Sequence, residues 1–341
     1  MLGHRCAGLR CGLPSSQSLW PAQLPAVNLV RPVQSHRPAH CVHRSTLVGL
    51  RCSSVTSLLA AVEAGGTKFR AAVMTPELGL VDEVRVPTTE PNETLGAVEA
   101  FFARYDSVVA LGIASFGPLL VDHSSPMYGS IASTPKPGWA GAPLLSRLRD
   151  TLGVPTDIQT DVEAAAVAEA SHGAGLGHTR VAYVTVGTGI GAAIAIDGVP
   201  FRGRDHTELG HIPVKRIADD EFAGLCPFHN DCLEGMAAGP AIAERWNADP
   251  ETLTGRDEVW DLEAAYLAQL VRTFTYGFAP DIVIFGGGVG TRPDMADRIR
   301  AAVATDNAGY AVSGSPLVAT AGLGEDAGLI GAAMMAQRLA G

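Results

Sequence analysis

Apolar runs alternate with amphipathic segments from Ser57 onward, and glycine clusters separate them. The stretch SLLAAVEAGGTKFRAAVM predicts an apolar strand, a turn at Gly65–Gly66 and a second strand that begins near Phe69. The order strand, glycine turn, strand returns in VAYVTVGTGIGAAIAIDG, while VVALGIASFGP predicts a further strand and DIVIFGGGVG a strand with a glycine turn. Helices are predicted at 93–105, 161–172, 236–246, 258–277 and 326–340. Strands that alternate with helices indicate an α/β fold.

The repeated strand–glycine–strand element predicts two related α/β lobes that face a cleft. The change of lobe is placed at the glycine-rich stretch GAGLGH, residues 173–178. This gives an N-terminal lobe at 58–175 and a C-terminal lobe at 176–341, with the C-terminal helix able to pack back on the first lobe. A plain helix stop is the alternative explanation for a glycine at this point.

Composition and charge narrow the class of protein. Apolar residues make up 47% and charged residues 18%, as in a packed enzyme, and no apolar run is long enough to span a membrane. Residues 1–62 carry six arginines and no acidic residue, so the net charge of −10 becomes −16 for the rest of the chain. An acidic body argues against a nucleic-acid partner, which needs basic surface. We expect neither nucleic-acid nor membrane binding.

The first 57 residues form a basic leader without helix or strand periodicity, which we expect to be disordered. Two explanations stay open, an organellar transit peptide and a start codon assigned upstream of the true one. The expected location is cytoplasmic, with organellar import as the alternative if the leader is a transit peptide. The cysteines of the leader match no metal or disulfide spacing; they are Cys6, Cys11, Cys41 and Cys52.

The two glycine turns have the composition of phosphate sites. EAGGTK at 63–68 offers the Thr67 hydroxyl and the Lys68 ammonium, and VGTGIG at 186–191 offers Thr188. Successive backbone N–H groups in such turns can bind an anion. Neither turn is a P-loop, because the motif GxxxxGK[ST] is absent. Neither is a dinucleotide fingerprint, because a strand and not a helix follows each turn. A single turn of this kind is as readily a tight hairpin, but two turns and a GGG favour a nucleoside triphosphate held between the lobes.

An acidic residue begins the predicted helix in TDVEAAAVAEA. Asp161 or Thr160 can cap this helix, and capping is the ordinary role for such a residue. Alternatively, Asp161 is a carboxylate on the cleft floor that accepts a proton from a substrate hydroxyl during phosphoryl transfer. The sequence leaves both roles open.

The segment CPFHNDCLE predicts a metal site. Cysteine and histidine recur at intervals of three, and His211 lies fifteen residues upstream. The predicted tetrahedral zinc ligands are His211, Cys226, His229 and Cys232. Four protein ligands leave no open position, so the zinc would be structural; a pair of buried thiols is the alternative. Glu208, three residues before His211, would be aimed at a ligand by this anchor or would be an ordinary surface glutamate.

Taken together, these residues resemble the ROK family of sugar kinases, and within it the bacterial fructokinase branch. The matching stretches run in family order from about residue 60 to the C-terminus; they are EAGGTKF, GIASFGPLLVD, STPKPGWAG, TDVEAAA, VTVGTGIG, HTELGHIPV, CPFHNDCLEGMAAGPAI, IFGGGV and LGEDAGLIGA. The Cys/His loop and PKPGW are the specific part of the resemblance.

The resemblance implies an actin-like, ribonuclease H-like two-lobed ATPase fold with a zinc-binding loop, which binds ATP, Mg²⁺ and a sugar. It implies Asp161 as the catalytic base, Glu208 as a sugar contact and the four Cys/His residues as ligands of a structural Zn²⁺. The residues implied to line the phosphates are Gly65, Gly66, Thr67, Lys68, Gly187, Thr188 and Gly189. Those implied to lie near the nucleoside are Pro240, Gly286, Gly287 and Gly288. A homodimer is also implied.

Two departures from the family pattern stand out. Glu163 occupies a position that is usually Asn, and its charge could alter sugar pairing or raise the proton affinity of Asp161. Glu63 stands where the wider family usually has Asp, but the fructokinase branch commonly has Glu.

The expected activity is phosphorylation of D-fructose to fructose 6-phosphate. Kinases for mannose, glucose or an N-acetylhexosamine are alternatives on the same scaffold. A sugar-sensing transcriptional regulator is a further alternative, which five prolines in the leader oppose because they would interrupt a helix-turn-helix.

Overall fold

Residues 57–311 and 314–341 are described in a computed structural model, and they form two five-stranded sheets with helices around them. The strands are β1 Leu58–Ala64, β2 Lys68–Met74, β3 Leu80–Pro87, β4 Val108–Ser115, β5 Thr156–Thr160, β6 Arg180–Val186, β7 Ile190–Ile196, β8 Val199–Pro200, β9 Ile282–Gly286 and β10 Leu317–Thr320. The helices are α1 Pro91–Phe102, α2 Leu144–Leu152, α3 Asp161–His172, α4 Leu233–Ala237, α5 Gly239–Trp246, α6 Asp257–Gly277, α7 Gly287–Gly290, α8 Met295–Asp306 and α9 Ala327–Ala340. The predicted α/β class is confirmed.

The two sheets have the same strand arrangement. Their orders are β3-β2-β1-β4-β5 and β8-β7-β6-β9-β10. In each sheet an antiparallel hairpin supplies the central strand, β1 or β6, which also pairs in parallel with a later strand, β4 or β9. The two glycine turns therefore close equivalent hairpins, one joining β1 to β2 and the other joining β6 to β7.

Each sheet has its own apolar core. The first core contains Phe69 and Trp139, whose ring centroids lie 5.2 Å apart, and both side chains are fully buried. The second core lies between the second sheet and α6, and includes Phe274 and Phe285. These separate cores hold the strand ends, and with them the glycine turns, in fixed positions.

The last helix returns to the first sheet. Leu329, Ala332 and Ala333 of α9 pack against Ala61 of β1 and Ala114 of β4. Small side chains on both surfaces let the helix approach the sheet closely. The segment that precedes α9 therefore lies beside the first glycine turn.

The predicted helices 161–172, 258–277 and 326–340 are confirmed by α3, α6 and α9, with ends within one residue. The first predicted helix begins and ends slightly earlier, as α1. The prediction of one helix over 236–246 is wrong, because the backbone is extended at Ala238 (ψ 160°) and separates α4 from α5. Pro240 has no N–H to continue the ladder, and the Gly239 N–H donates instead to the Gly187 carbonyl at 2.8 Å.

Two further sequence predictions concern the leader and membrane-spanning segments. The leader, apart from Ser57, lies outside the described residues together with its four cysteines. Among the described residues, no helix has both the length and the apolar character needed to cross a membrane.

Candidate active site and metal centre

Asp161 lies where β5 ends and α3 begins. The N-cap of α3 is Thr160, whose hydroxyl accepts a hydrogen bond from the Glu163 N–H at 3.2 Å. In return the Glu163 carboxylate accepts from the Thr160 N–H at 3.0 Å, which completes a capping box. The capping role left open by the sequence therefore belongs to Thr160. The Asp161 carboxylate makes only a local bond of 2.9 Å from the Val162 N–H.

Burial raises the pKa of Asp161 from its ordinary 3.8 to about 6. Backbone N–H groups at the helix start lower the pKa, whereas the negative charges of Glu208 and Glu163 raise it further. Burial outweighs the helix terminus, because an ionised carboxylate loses hydration that the local donors do not replace. A carboxylate with a pKa near 6 is ionised at neutral pH and still accepts a proton readily.

Glu163 is buried and paired with an arginine. Its side chain is 1% exposed, and Arg202 binds both of its oxygens at 2.8 and 2.7 Å. Arg202 belongs to the segment that follows β8, so this ion pair joins the second sheet to α3. The departure from the family pattern at Glu163 is thus accompanied by a partly buried counter-charge.

The second glycine turn lies against a carboxylate that sequence reasoning missed. Glu234 Oε2 accepts from the Ile190 N–H at 3.0 Å. A Cβ at Gly189 would lie 2.7 Å from the same oxygen, so a side chain there would displace the Glu234 carboxylate. The signal was present in the sequence, since Glu234 follows the last predicted zinc ligand by two residues.

Glu208 and His211 flank the short 3-10 helix Leu209–His211, which packs against the start of β7. Gly210 lies directly against the Ile190 carbonyl there. The Glu208 side chain is 51% exposed, and its charge acts on Asp161. His211 Nε2 lies 3.9 Å from Glu234 Oε1. The segment therefore brings Glu208 to the same place as Asp161 and the second glycine turn.

The four predicted zinc ligands converge. The ligand atoms of His211, Cys226, His229 and Cys232 all lie within 4.8 Å of one another. Both cysteines are buried, and Sγ–Nδ1 separations of 3.5, 3.6 and 3.7 Å join them to the histidines. Bond lengths to a tetrahedral zinc place a nitrogen and a sulfur ligand about 3.6 Å apart. Both the donor set and its spacing fit such an ion.

The first glycine turn carries a dense group of charges. Gly66, Thr67 and Lys68 are exposed, and Lys68 Nζ lies 3.3 Å from Glu325 Oε2. Burial raises the pKa of Glu63 to about 7; Arg70 opposes this rise, and the charge of Asp161 adds to it. The influence of Asp161 on the pKa of Glu63 indicates that the two carboxylates are near one another.

The predicted nucleoside contacts border the second glycine turn. Pro240 is the second residue of α5. The first, Gly239, donates a backbone hydrogen bond to Gly187. Gly286 ends β9 and Gly287 follows it, where Gly287 lies against the Val186 carbonyl at the end of β6. The GGG stretch forms the helical turn α7 (Gly287–Gly290) rather than the plain turn predicted.

Other polar residues of the site gave no usable sequence signal. Arg202 and His206 lie between β8 and the 3-10 helix, and Arg70 projects from β2. Their partners are distant in the chain, so only the fold brings them together.

Two duplicated α/β lobes that carry glycine turns and a carboxylate between them define a protein of the actin-like ATPase class. Residues 59–339 match the pattern of the ROK family. The chain belongs to the ROK family.

Similar proteins agree with this placement. The chain is 40% identical to a fructokinase from Pediococcus pentosaceus over 283 residues, 82% of this chain and 98% of that protein. It is 39% identical to a fructokinase from Zymomonas mobilis, over 81% of this chain and 95% of that protein. A ROK family glucokinase from Streptomyces griseus, solved in complex with glucose and AMPPNP, aligns with a TM-score of 0.67 at 26% identity, over 83% of this chain and 100% of that one.

Proposed function

We propose that the chain is an ATP-dependent hexose kinase, a fructokinase that converts D-fructose to fructose 6-phosphate. Relatives about 40% identical over most of the chain carry that name. The single observation that carries the mechanism is the Asp161 carboxylate, which is not needed to cap α3 and has a pKa raised to about 6.

In this mechanism Asp161 accepts the proton of the attacking sugar hydroxyl as the phosphoryl group transfers. Glu208 and Glu234, which border the same space, are the proposed hydrogen-bond acceptors for other sugar hydroxyls. A carboxylate accepts without donating, so it suits a hydroxyl-rich ligand.

The two glycine turns are the proposed phosphate site, with Gly65, Gly66, Thr67 and Lys68 on one side and Gly187, Thr188 and Gly189 on the other. Pro240 and Gly286–Gly288 would border the nucleoside. Lys68 must then exchange Glu325 for phosphate, which an exposed pair can do at small cost. Mg²⁺ prefers carboxylate, phosphate and water oxygens, and Glu63 and Asp161 fit as nearby donors. When bound, Mg²⁺ would neutralise charge on the transferring phosphates.

The Cys/His cluster is the proposed site of a structural zinc. His211 would be held by the metal through Nδ1, while its other nitrogen faces Glu234. The cluster would thereby fix the 3-10 helix and the start of α4, and with them two carboxylates of the sugar site. A homodimer is also expected, which light scattering of the purified protein would test.

The test is ADP release by the full-length chain with Mg·ATP and, separately, fructose, mannose, glucose and N-acetylmannosamine. Fructose should give the highest kcat/KM. A clear preference for another hexose would contradict the fructokinase proposal and keep the mechanism, whereas no turnover on any of the four would contradict both. DNA binding without turnover would favour the regulator alternative.

The variant Asp161→Asn should fold and bind sugar but lose at least about a thousandfold in kcat, because its amide cannot accept the proton. The matched control is Asp150→Asn on the exposed surface of α2, which should turn over normally. Near-normal turnover by Asp161→Asn would rule out this residue as the base.

A further inference from the structure

His206 is a buried histidine that neither the metal cluster nor the proposed chemistry uses. It lies in the segment between β8 and the 3-10 helix, two residues before Glu208, and its side chain is 7% exposed. Its neighbours Arg204 and Asp205 are exposed. A polar ring drawn inward from an exposed loop requires partners, because an unpaired buried polar group is costly.

The first partner lies on the other lobe. His206 Nε2 accepts a hydrogen bond of 3.1 Å from the backbone N–H of Leu119, which follows β4 of the first sheet. A Cβ added at the nearby Gly117 would lie 3.8 Å from the ring. A ring nitrogen that accepts from an N–H carries no proton, so the proton of the neutral ring is on Nδ1.

The second partner is the proposed sugar contact. His206 Nδ1 lies 3.4 Å from Glu208 Oε1 and 3.5 Å from the Thr207 carbonyl. The Nδ1–H therefore hydrogen-bonds the Thr207 carbonyl, and the Glu208 carboxylate lies beside the same N–H at a distance typical of a charge contact. Glu208 is half-exposed, and a free glutamate side chain would lose rotamer entropy when a ligand fixes it. A donor that holds the carboxylate in advance reduces that loss.

We propose that His206 is a positioning residue for sugar binding, which holds the Glu208 carboxylate in place by anchoring its own ring to Leu119 of the opposite lobe. The inference rests on the proposed function, since Glu208 matters only if a sugar binds there. It adds a residue whose effect passes through Glu208 and through the relative placement of the two lobes.

The substitutions His206→Gln and His206→Asn distinguish the contact with Leu119 from the contact with Glu208. The amide oxygen of glutamine can replace Nε2 as the acceptor for Leu119, but glutamine has no donor at the position of Nδ1. The amide nitrogen of asparagine can replace Nδ1 as the donor to Glu208, but asparagine does not reach Leu119. His178→Gln, two residues before β6 begins and at the opposite end of that strand from the glycine turn, is the matched control.

The experiment measures KM for fructose, KM for ATP, kcat and thermal unfolding on the full-length variants. His206→Gln should raise the KM for fructose about tenfold while the KM for ATP and the unfolding temperature stay close to wild type. His206→Asn should retain more of the fructose affinity and lose more of the thermal stability. In an E208Q background, His206→Gln should add less than a twofold change, since both substitutions remove one interaction.

Several outcomes would overturn the inference. Equal KM values for fructose in wild type and His206→Gln, or additive effects of His206→Gln and E208Q, would reduce His206 to a loop anchor. Failure of both conservative variants to fold would do the same. Absence of turnover by the wild type on all four hexoses would instead overturn the proposed function, and this inference with it.

Discussion

At the scale of single residues, the site depends on which carboxylates are neutralised and which are left free. The Glu163 carboxylate accepts a hydrogen bond from Thr160 and forms an ion pair with Arg202. Asp161, two residues earlier, has no cationic partner within bonding distance among the described residues. Two acids separated by one residue thus take different roles because their side chains leave the helix in different directions.

The raised pKa of Asp161 predicts a pH-dependent rate. The base must be ionised, so kcat/KM for fructose should fall about tenfold per pH unit below pH 6 and stay level above it. A kcat/KM for fructose that stays level down to about pH 4 before it falls would contradict a buried base.

Stability should change in the opposite sense. The folded protein binds this proton more tightly than the unfolded chain does, so the ionised form is disfavoured in the folded state above about pH 6. Asp161→Asn should therefore melt at the same or a higher temperature than wild type at pH 8, and the difference should vanish as the pH falls towards 4. Melting curves at several pH values test this, with Asp150→Asn as the control.

The Glu163–Arg202 pair predicts strong coupling between two residues. Arg202→Met leaves a carboxylate that is 1% exposed without its counter-charge, which should cost on the order of 3 kcal/mol of unfolding free energy. Adding Glu163→Gln should recover part of that loss, because glutamine keeps an oxygen for the Thr160 N–H and removes the charge. Urea unfolding of both single variants and the double variant measures the coupling. Additive effects would mean that the pair contributes nothing of its own.

At the scale of elements, the Cys/His loop and the 3-10 helix behave as one unit. His211 ends the 3-10 helix, Cys232 precedes α4, and an isolated β-bridge joins Pro213 to Cys232. Loss of a metal at this unit should therefore disturb Glu208 and Glu234 together, while the first glycine turn is left unchanged.

Zinc analysis tests that expectation. The purified chain should contain about one zinc, and Cys232→Ser should lose it, with a fall in melting temperature on the order of 5 °C and a larger rise in KM for fructose than for ATP. Cys52→Ser, outside the cluster, should retain the metal. Full zinc occupancy in Cys232→Ser, or an unchanged KM for fructose after zinc loss, would contradict the scaffold role.

At the scale of the whole molecule, the candidate site combines two halves that have the same strand arrangement. The two hairpins with glycine turns occupy equivalent places in their sheets, and α9 carries the chain back to the first sheet so that Glu325 and Asp326 reach Lys68 and Arg70. Each half alone supplies only one of the two glycine turns. The chemistry we propose needs both halves.

The sequence by itself determined the α/β class, the repeated hairpins, the helices α1, α3, α6 and α9, and the four Cys/His residues of the candidate metal site. These depend on hydrophobic period, glycine at tight turns and ligand spacing, all of which act over a few residues. Only the tertiary structure decided that Thr160 caps α3, that Arg202 neutralises Glu163, and that His206 joins Leu119 to Glu208. Those contacts connect residues up to 87 positions apart, and the split of the helix at Ala238 likewise depends on a bond to Gly187. Burial, which sets the pKa of Asp161, is a property of the folded surroundings and cannot be read from neighbours along the chain.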